Sequence, residues 1–86
     1  MKVVFSKQFL KDLHKAPLSI QESFEVRLEI FLKNPFQPLL RNHPLNGKFF
    51  LYRSMNVAGD WRAIFRFIEK DTIFFVALGT HSELYQ

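Results

Sequence analysis

The chain has 86 residues, no cysteine and a formal net charge of +4 at pH 7. A chain of this length is expected to form one domain over residues 1–86, and the lack of cysteine excludes disulfides and thiolate metal sites. Hydrophobic residues make up 48% of the chain and include 11 phenylalanines, which argues for a packed core and against disorder. The basic charge favours a polyanion such as nucleic acid, or an acidic protein partner.

Neither a signal peptide nor a membrane span is predicted. The N-terminal stretch MKVVFSKQF turns polar too soon to contain the apolar region of a signal peptide. No window approaches the roughly 20 apolar residues that cross a bilayer. We therefore expect a soluble, cytoplasmic protein with no membrane association.

The N-terminal half is predicted to form one strand and two helices. The β-branched segment KVVF at residues 2–5 favours a strand, and Ser6 is positioned to N-cap the helix that follows. Ser19 and Glu22 match the S-x-x-E capping box, so a second helix is expected from there to about Lys33.

Both helices carry an apolar face at helical spacing. In the first helix this face consists of Phe9, Leu10 and Leu13. In the second it consists of Ile20, Phe24, Leu28, Phe31 and Leu32. Val26 and Ile30 fall outside this stripe, and their arc is expected to pack on the first helix in an α-hairpin. Contact with a partner is the alternative use of that arc.

The C-terminal half is predicted to form a loop and three strands. Residues 34–47 hold three of the four prolines and form the main loop. Strands are expected at 48–57, 60–70 and 72–80, and the short turns between them favour an antiparallel meander. The predicted fold is therefore α+β with the order β-α-α-β-β-β. The two helices cover one face of the sheet and leave the other open for function.

The middle strand of the meander places arginines on the open face. Alternation assigns one set of side chains to the helices: Trp61, Ala63, Phe65 and Phe67. It assigns the other set to the open face: Arg62, Ile64, Arg66 and Ile68. Arg53 of the preceding strand is expected nearby. Guanidinium groups gathered on one sheet face suit a phosphate, although arginines on a strand can also be ordinary solvated residues.

The histidines give no metal-binding pattern. His14 is expected on the surface of the first helix, His43 in the proline-rich loop, and His81 just past the last strand. None has the H-x-x-x-H spacing or the carboxylate partner of a typical site. We therefore predict neither a metal nor a cofactor.

Four sequence motifs, in order, resemble the RelE/ParE superfamily of type II toxin–antitoxin toxins and most closely its YafQ branch. They are FSKQFLKDL at residues 5–13, HPLNG at 43–47, YR…GDWRAIFRF within 52–67 and GTHSELY at 79–85. Together they span almost the whole chain. The resemblance implies a RelE-like toxin that cleaves mRNA at the ribosome and is neutralised by a cognate antitoxin wrapped around it.

The resemblance also implies roles for particular residues. Matched motif positions give the candidate catalytic residues His43, Asp60, His81 and Tyr85. They give Arg53 and Arg62 as phosphate or RNA ligands, to which the strand pattern adds Arg66. Relatives of the YafQ type have a further histidine where this chain has Asn56, and an asparagine cannot transfer a proton near neutral pH. The general base is thus left open among His81, His43 and Asp60.

The expected chemistry is metal-independent attack of the RNA 2′-hydroxyl on the adjacent phosphorus, which needs a base, an acid and positive charge. His81 is predicted to be the acid, and Tyr85 to stack on a base or to donate to a leaving oxygen. The main alternative keeps the fold without nuclease activity, as in ParE-like toxins that poison DNA gyrase. A non-enzymatic RNA-binding domain that stacks bases on aromatic side chains is a further alternative.

Overall fold

A computed structural model describes residues 1–85 and contains five strands and three α-helices within them. In chain order these elements are β1 (Lys2–Phe5), α1 (Lys7–Lys15), α2 (Leu18–Lys33), β2 (His43–Pro44), β3 (Arg53–Ala58), β4 (Trp61–Glu69), β5 (Thr72–Thr80) and α3 (His81–Leu84). Short 3₁₀ turns at Pro38–Leu40 and Gly47–Phe49 interrupt the loop between α2 and β3. Over the described part of the chain, no helix has both the length and the hydropathy needed to cross a membrane.

The strands form one mixed sheet in the order β1-β5-β4-β3-β2. β1 pairs in parallel with β5, and all other neighbours are antiparallel. The meander β3-β4-β5 and the α+β class are thereby confirmed. The strand predicted at 48–57 begins only at Arg53, because the Gly47–Phe49 turn and the left-handed backbone of Leu51, at φ 78°, precede it.

The start of α1 agrees with the sequence prediction, and the start of α2 does not. The hydroxyl of Ser6 accepts a hydrogen bond from the Phe9 amide at 2.9 Å, so the predicted N-cap is confirmed. The predicted capping box at Ser19 and Glu22 is wrong, since α2 already begins at Leu18 with Pro17 as its N-cap. Proline suits this position because its fixed φ fits a helix start and the amide it lacks would have no helical partner.

The core is a cluster of phenylalanines centred on Phe75 of β5. Five rings lie with their centroids 5.3–6.1 Å from that of Phe75, and they come from β1, both long helices and β4: Phe5, Phe9, Phe24, Phe31 and Phe65. Phe75 is itself fully buried. Offset and edge-to-face ring pairs add about 0.5–1.5 kcal/mol each to the burial of apolar area, so this cluster fixes the helices on one face of the sheet.

Not every apolar position of the helices reaches this core. α1 packs over β5 and α2 over β3, so the outer arc of α2 meets the edge of the sheet and not α1. Ile30 contacts the core, but Val26 is 58% exposed, and the prediction that it packs on α1 is wrong. Leu10 and Leu32 are also exposed.

The second face of the sheet is partly covered. Ile64, predicted on the open face, has no exposed surface, and neither does its cross-strand partner Ser54. The ring of Phe49 lies 6.3 Å from that of Tyr52 and 6.1 Å from that of Tyr85. The 3₁₀ turn and the residues after β5 thus fold together on this side, and the prediction of an open face is wrong at its centre.

Replacement of Phe75 tests the core directly. Phe75→Ala is expected to lower the free energy of unfolding by about 3–5 kcal/mol, which is most of the stability of a domain this small. Phe75→Leu should lower the free energy of unfolding by less, so this variant should remain folded and measurable. Urea unfolding followed by circular dichroism gives both values, with Leu10→Ala as an exposed control. Equal effects of Phe75→Leu and Leu10→Ala would contradict this assignment of the core.

Candidate active site

A cleft of about 400 Å³ lies on the face of the sheet opposite α1 and α2. Its lining comes from β2, the loop after it, β4 and α3: His43, Leu45, Asn46, Arg62, His81 and Tyr85. Four predicted site residues, His43, Arg62, His81 and Tyr85, are therefore brought together by elements distant in sequence. We refer to this as the His43–His81 cleft.

A capping box at the end of β5 sets the position of His81. The Thr80 hydroxyl accepts a hydrogen bond from the Glu83 amide at 3.3 Å, and a Glu83 carboxylate oxygen accepts one from the Thr80 amide at 2.8 Å. This closes a turn that begins at His81, whose amide donates to the Asp60 carbonyl at 3.0 Å. The main chain of His81 is thereby held next to the β3–β4 turn.

Tyr85 reaches the same cleft because α3 folds back over β5. A Cβ added at Gly79 would lie 3.3 Å from Cγ of Leu84, so a larger residue there would push α3 or its side chains outward, and glycine favours this close approach. The amide of Tyr85 donates to the His81 carbonyl at 3.0 Å, and the two rings lie 4.7 Å apart. The ring of Phe49 lies 6.1 Å from that of Tyr85, at 90° to it.

His43 enters the cleft with a defined proton position. β2 pairs with β3 through His43 and Ser54, and Nδ1 of His43 lies 2.7 Å from the Arg41 carbonyl oxygen. Because a carbonyl oxygen only accepts, Nδ1 carries the proton in this contact. In the neutral imidazole, Nε2 is then unprotonated and can act as an acceptor.

Arg62 contributes the positive charge of the cleft. Its Nη1 donates to the carbonyl oxygens of Gly59 at 2.8 Å and Trp61 at 3.2 Å, which fixes the guanidinium beside the β3–β4 turn. Within residues 1–85, Nε and Nη2 have no protein partner, so they remain available for a phosphate oxygen.

Asn56 lies opposite Arg62 on β3, and its side chain has a structural role. Its Oδ1 accepts from Arg27 Nη1 at 3.1 Å, and its Nδ2 donates to the Gly59 carbonyl at 3.1 Å. The amide of Asn56 therefore links α2 to the β3–β4 turn. Asn56 does not line the cleft.

Three predicted site residues lie outside the lining. Arg53 pairs with Phe65 and so lies on the helix-covered face, with its guanidinium 5.3 Å from the ring of Phe36; the expectation that it sits beside the arginines of β4 is wrong. Arg66 stays on the second face but stacks on Tyr52 at 5.6 Å. Asp60 is exposed, and its backbone carbonyl, not its carboxylate, contacts His81.

Sequence reasoning missed two lining residues, Leu45 and Asn46, and the supporting ring of Phe49. Leu45 and Asn46 lie inside the HPLNG motif, which could have pointed to them. No sequence pattern indicated the role of Phe49, because this role depends on the 3₁₀ turn that places the ring. Among the residues that the structure describes, no group of three or more His, Asp or Glu side chains is arranged to hold a metal ion.

Comparison with known proteins identifies the family. A family model described as the bacterial toxin of a type II toxin–antitoxin system, YafQ, matches residues 1–86. The chain therefore belongs to the YafQ family of type II toxins, and the resemblance to RelE-like toxins is confirmed. No curated protein matches the chain.

Solved structures support the fold. YafQ from Escherichia coli BL21(DE3) is 24% identical, with a TM-score of 0.83 over 99% of this chain and 98% of that chain. The YoeB/ParE toxin from Agrobacterium tumefaciens is 19% identical, with a TM-score of 0.77 over 94% and 99%. The Escherichia coli DinJ–YafQ complex contains a chain 24% identical, with a TM-score of 0.71 over 99% and 98%.

The capping box makes α3 sensitive to pH. Hydrogen bonds from the amide and then the hydroxyl of Thr80 lower the pKa of Glu83 below its ordinary value of 4.5. A carboxyl group with a lowered pKa stabilises the fold fully above its ordinary value, and the contribution is lost as the pH falls through the lowered pKa.

Glu83→Gln keeps an accepting oxygen but removes the charge. The variant should therefore be less stable towards urea than the parent protein at pH 7 and as stable as the parent near pH 2. Glu83→Ala should be less stable than Glu83→Gln throughout. Urea unfolding across this pH range measures the differences, and a parent-to-Gln difference that does not change with pH would contradict the assignment.

Proposed function

We propose that this toxin is a metal-independent endoribonuclease that cleaves mRNA at the ribosome. The observation that carries the proposal is the His43–His81 cleft, where two imidazoles and one guanidinium face a common space. Cleavage of RNA by its own 2′-hydroxyl needs a base, an acid and a positive charge, and this set of side chains supplies all three.

His43 is the proposed general base. Its Nδ1 proton is held by the Arg41 carbonyl, so Nε2 of the neutral ring accepts the proton of the 2′-hydroxyl. The freed 2′-oxygen attacks the adjacent phosphorus, and the bond from phosphorus to the 5′-oxygen breaks. The products are a 2′,3′-cyclic phosphate and a 5′-hydroxyl end.

His81 is the proposed general acid, and it donates a proton to the departing 5′-oxygen. Backbone hydrogen bonds to Asp60 and Tyr85 hold its main chain at the cleft, and its ring packs against that of Tyr85. Arg62 holds the phosphate through its free guanidinium nitrogens and stabilises the negative charge that develops on the phosphate. The cleft requires a 2′-hydroxyl and therefore acts on RNA and not DNA.

The other candidate residues act around this centre. Tyr85, against the His81 ring, stacks on a substrate base or donates to the leaving oxygen. Asp60 positions His81 through its carbonyl. Arg66 binds a phosphate further along the strand. Asn56 takes no part in proton transfer, because both ends of its amide are engaged with protein groups.

A cognate antitoxin is the proposed protein partner. The chain carries a net charge of +4, and a basic toxin that binds RNA is well suited to an acidic inhibitor segment. The solved complex of the related YafQ with DinJ supports this partner class.

Replacing each cleft histidine tests the mechanism. His81→Ala and His43→Ala should each reduce cleavage about 10²–10⁴-fold, the usual contribution of general acid–base groups, while binding of the antitoxin stays intact. His14→Ala is the matched control, because His14 is an exposed histidine on α1.

Primer extension on transcripts after induction measures the cuts. Full cleavage by a folded His81→Ala protein would refute the role of His81. Intact transcripts together with DNA-damage signalling from the parent protein would refute the nuclease and favour a toxin that poisons gyrase.

A further inference from the structure

A second cleft of about 320 Å³ adjoins the His43–His81 cleft and shares Leu45 and Asn46 with it. The rest of its lining comes from β2, the end of the loop, β3 and β4: Pro44, Phe50, Leu51, Tyr52, Arg53 and Phe67. We call it the Phe50 cleft. The two clefts are therefore neighbours, and Leu45 and Asn46 border both of them.

Two large apolar residues that line the Phe50 cleft are exposed to solvent. Phe50 is 66% exposed and Leu51 is 70% exposed. Leu51 also has a φ of 78°, a left-handed conformation that costs a non-glycine residue about 1–3 kcal/mol. Adjacent exposed apolar residues beside polar ones mark binding surfaces.

Arg53 brings a fixed positive charge to the same cleft. Its Nε donates to Asn42 Oδ1 at 2.6 Å, and its guanidinium lies over the ring of Phe36. Within the described chain, its Nη1 and Nη2 have no protein partner. Phe50 and Arg53 line the same cleft, and an exposed aromatic ring together with a guanidinium suits a nucleobase and its phosphate.

We infer that the Phe50 cleft binds the base of a nucleotide adjoining the cleaved phosphate, with Phe50 as the stacking ring and Arg53 as a donor. The inference deepens the proposed nuclease function and rests on it for the direction of the RNA strand. The lining residues that the two clefts share and the charge of Arg53 favour an RNA strand here over an apolar peptide.

Binding of an uncleavable RNA tests this inference separately from catalysis. The probe is a 2′-O-methyl adenosine pentamer, and its partner is the same backbone with every base removed. Phe50→Ala should weaken binding of the pentamer about tenfold, the lower part of the range for stacking one base, and leave binding of the abasic strand unchanged. Phe50→Trp should restore the affinity.

Leu39→Ala serves as the control, since Leu39 is an exposed apolar residue outside both clefts. Fluorescence anisotropy measures the dissociation constants, and thermal unfolding checks that each variant folds.

Three results would overturn the inference: equal effects of Phe50→Ala on both strands, no effect on either, or no binding of the pentamer by the parent protein at millimolar concentration. Unchanged RNA binding would leave the cleft to a protein partner. Base-dependent binding without cut transcripts in cells would instead refute the nuclease and retain the subsite.

Discussion

The packing of five phenylalanine rings around Phe75 is the interaction on which the rest of the molecule depends. It joins β1, both long helices and β4 to the central strand β5. A chain of 86 residues buries a limited fraction of its surface, so a few large aromatic side chains must supply much of the apolar burial. The same strand then leads directly into His81, so the core and the candidate active site share one rigid element.

The two candidate catalytic histidines lie on short elements beside that sheet. Thr80 and Glu83 close the turn that begins at His81, and Gly79 allows Leu84 to pack back on β5. On the other side, the two-residue strand β2 and the Arg41 carbonyl hold His43. Local hydrogen bonds at the end of a well-packed strand thus give the cleft its geometry, while the phenylalanine core gives it stability.

Much of this could be predicted from the sequence. The strands at 2–5, 60–70 and 72–80 and the end of α2 at Lys33 follow from hydrophobic pattern, and the motifs pointed to His43, Arg62, His81 and Tyr85. The face of the sheet on which Arg53 lies could not be predicted, because it depends on the pairing of Arg53 with Phe65. Alternation along one strand does not fix that register. Burial of Ile64 and the role of Phe49 depend on loop residues folding over the sheet, a tertiary effect without a local pattern.

The chemical nature of the cut RNA ends tests the central claim most directly. Attack by the 2′-hydroxyl, with His43 as base and His81 as acid, predicts 2′,3′-cyclic phosphate and 5′-hydroxyl ends. Transcripts ending in 3′-hydroxyl and 5′-phosphate groups would contradict the account of the His43–His81 cleft.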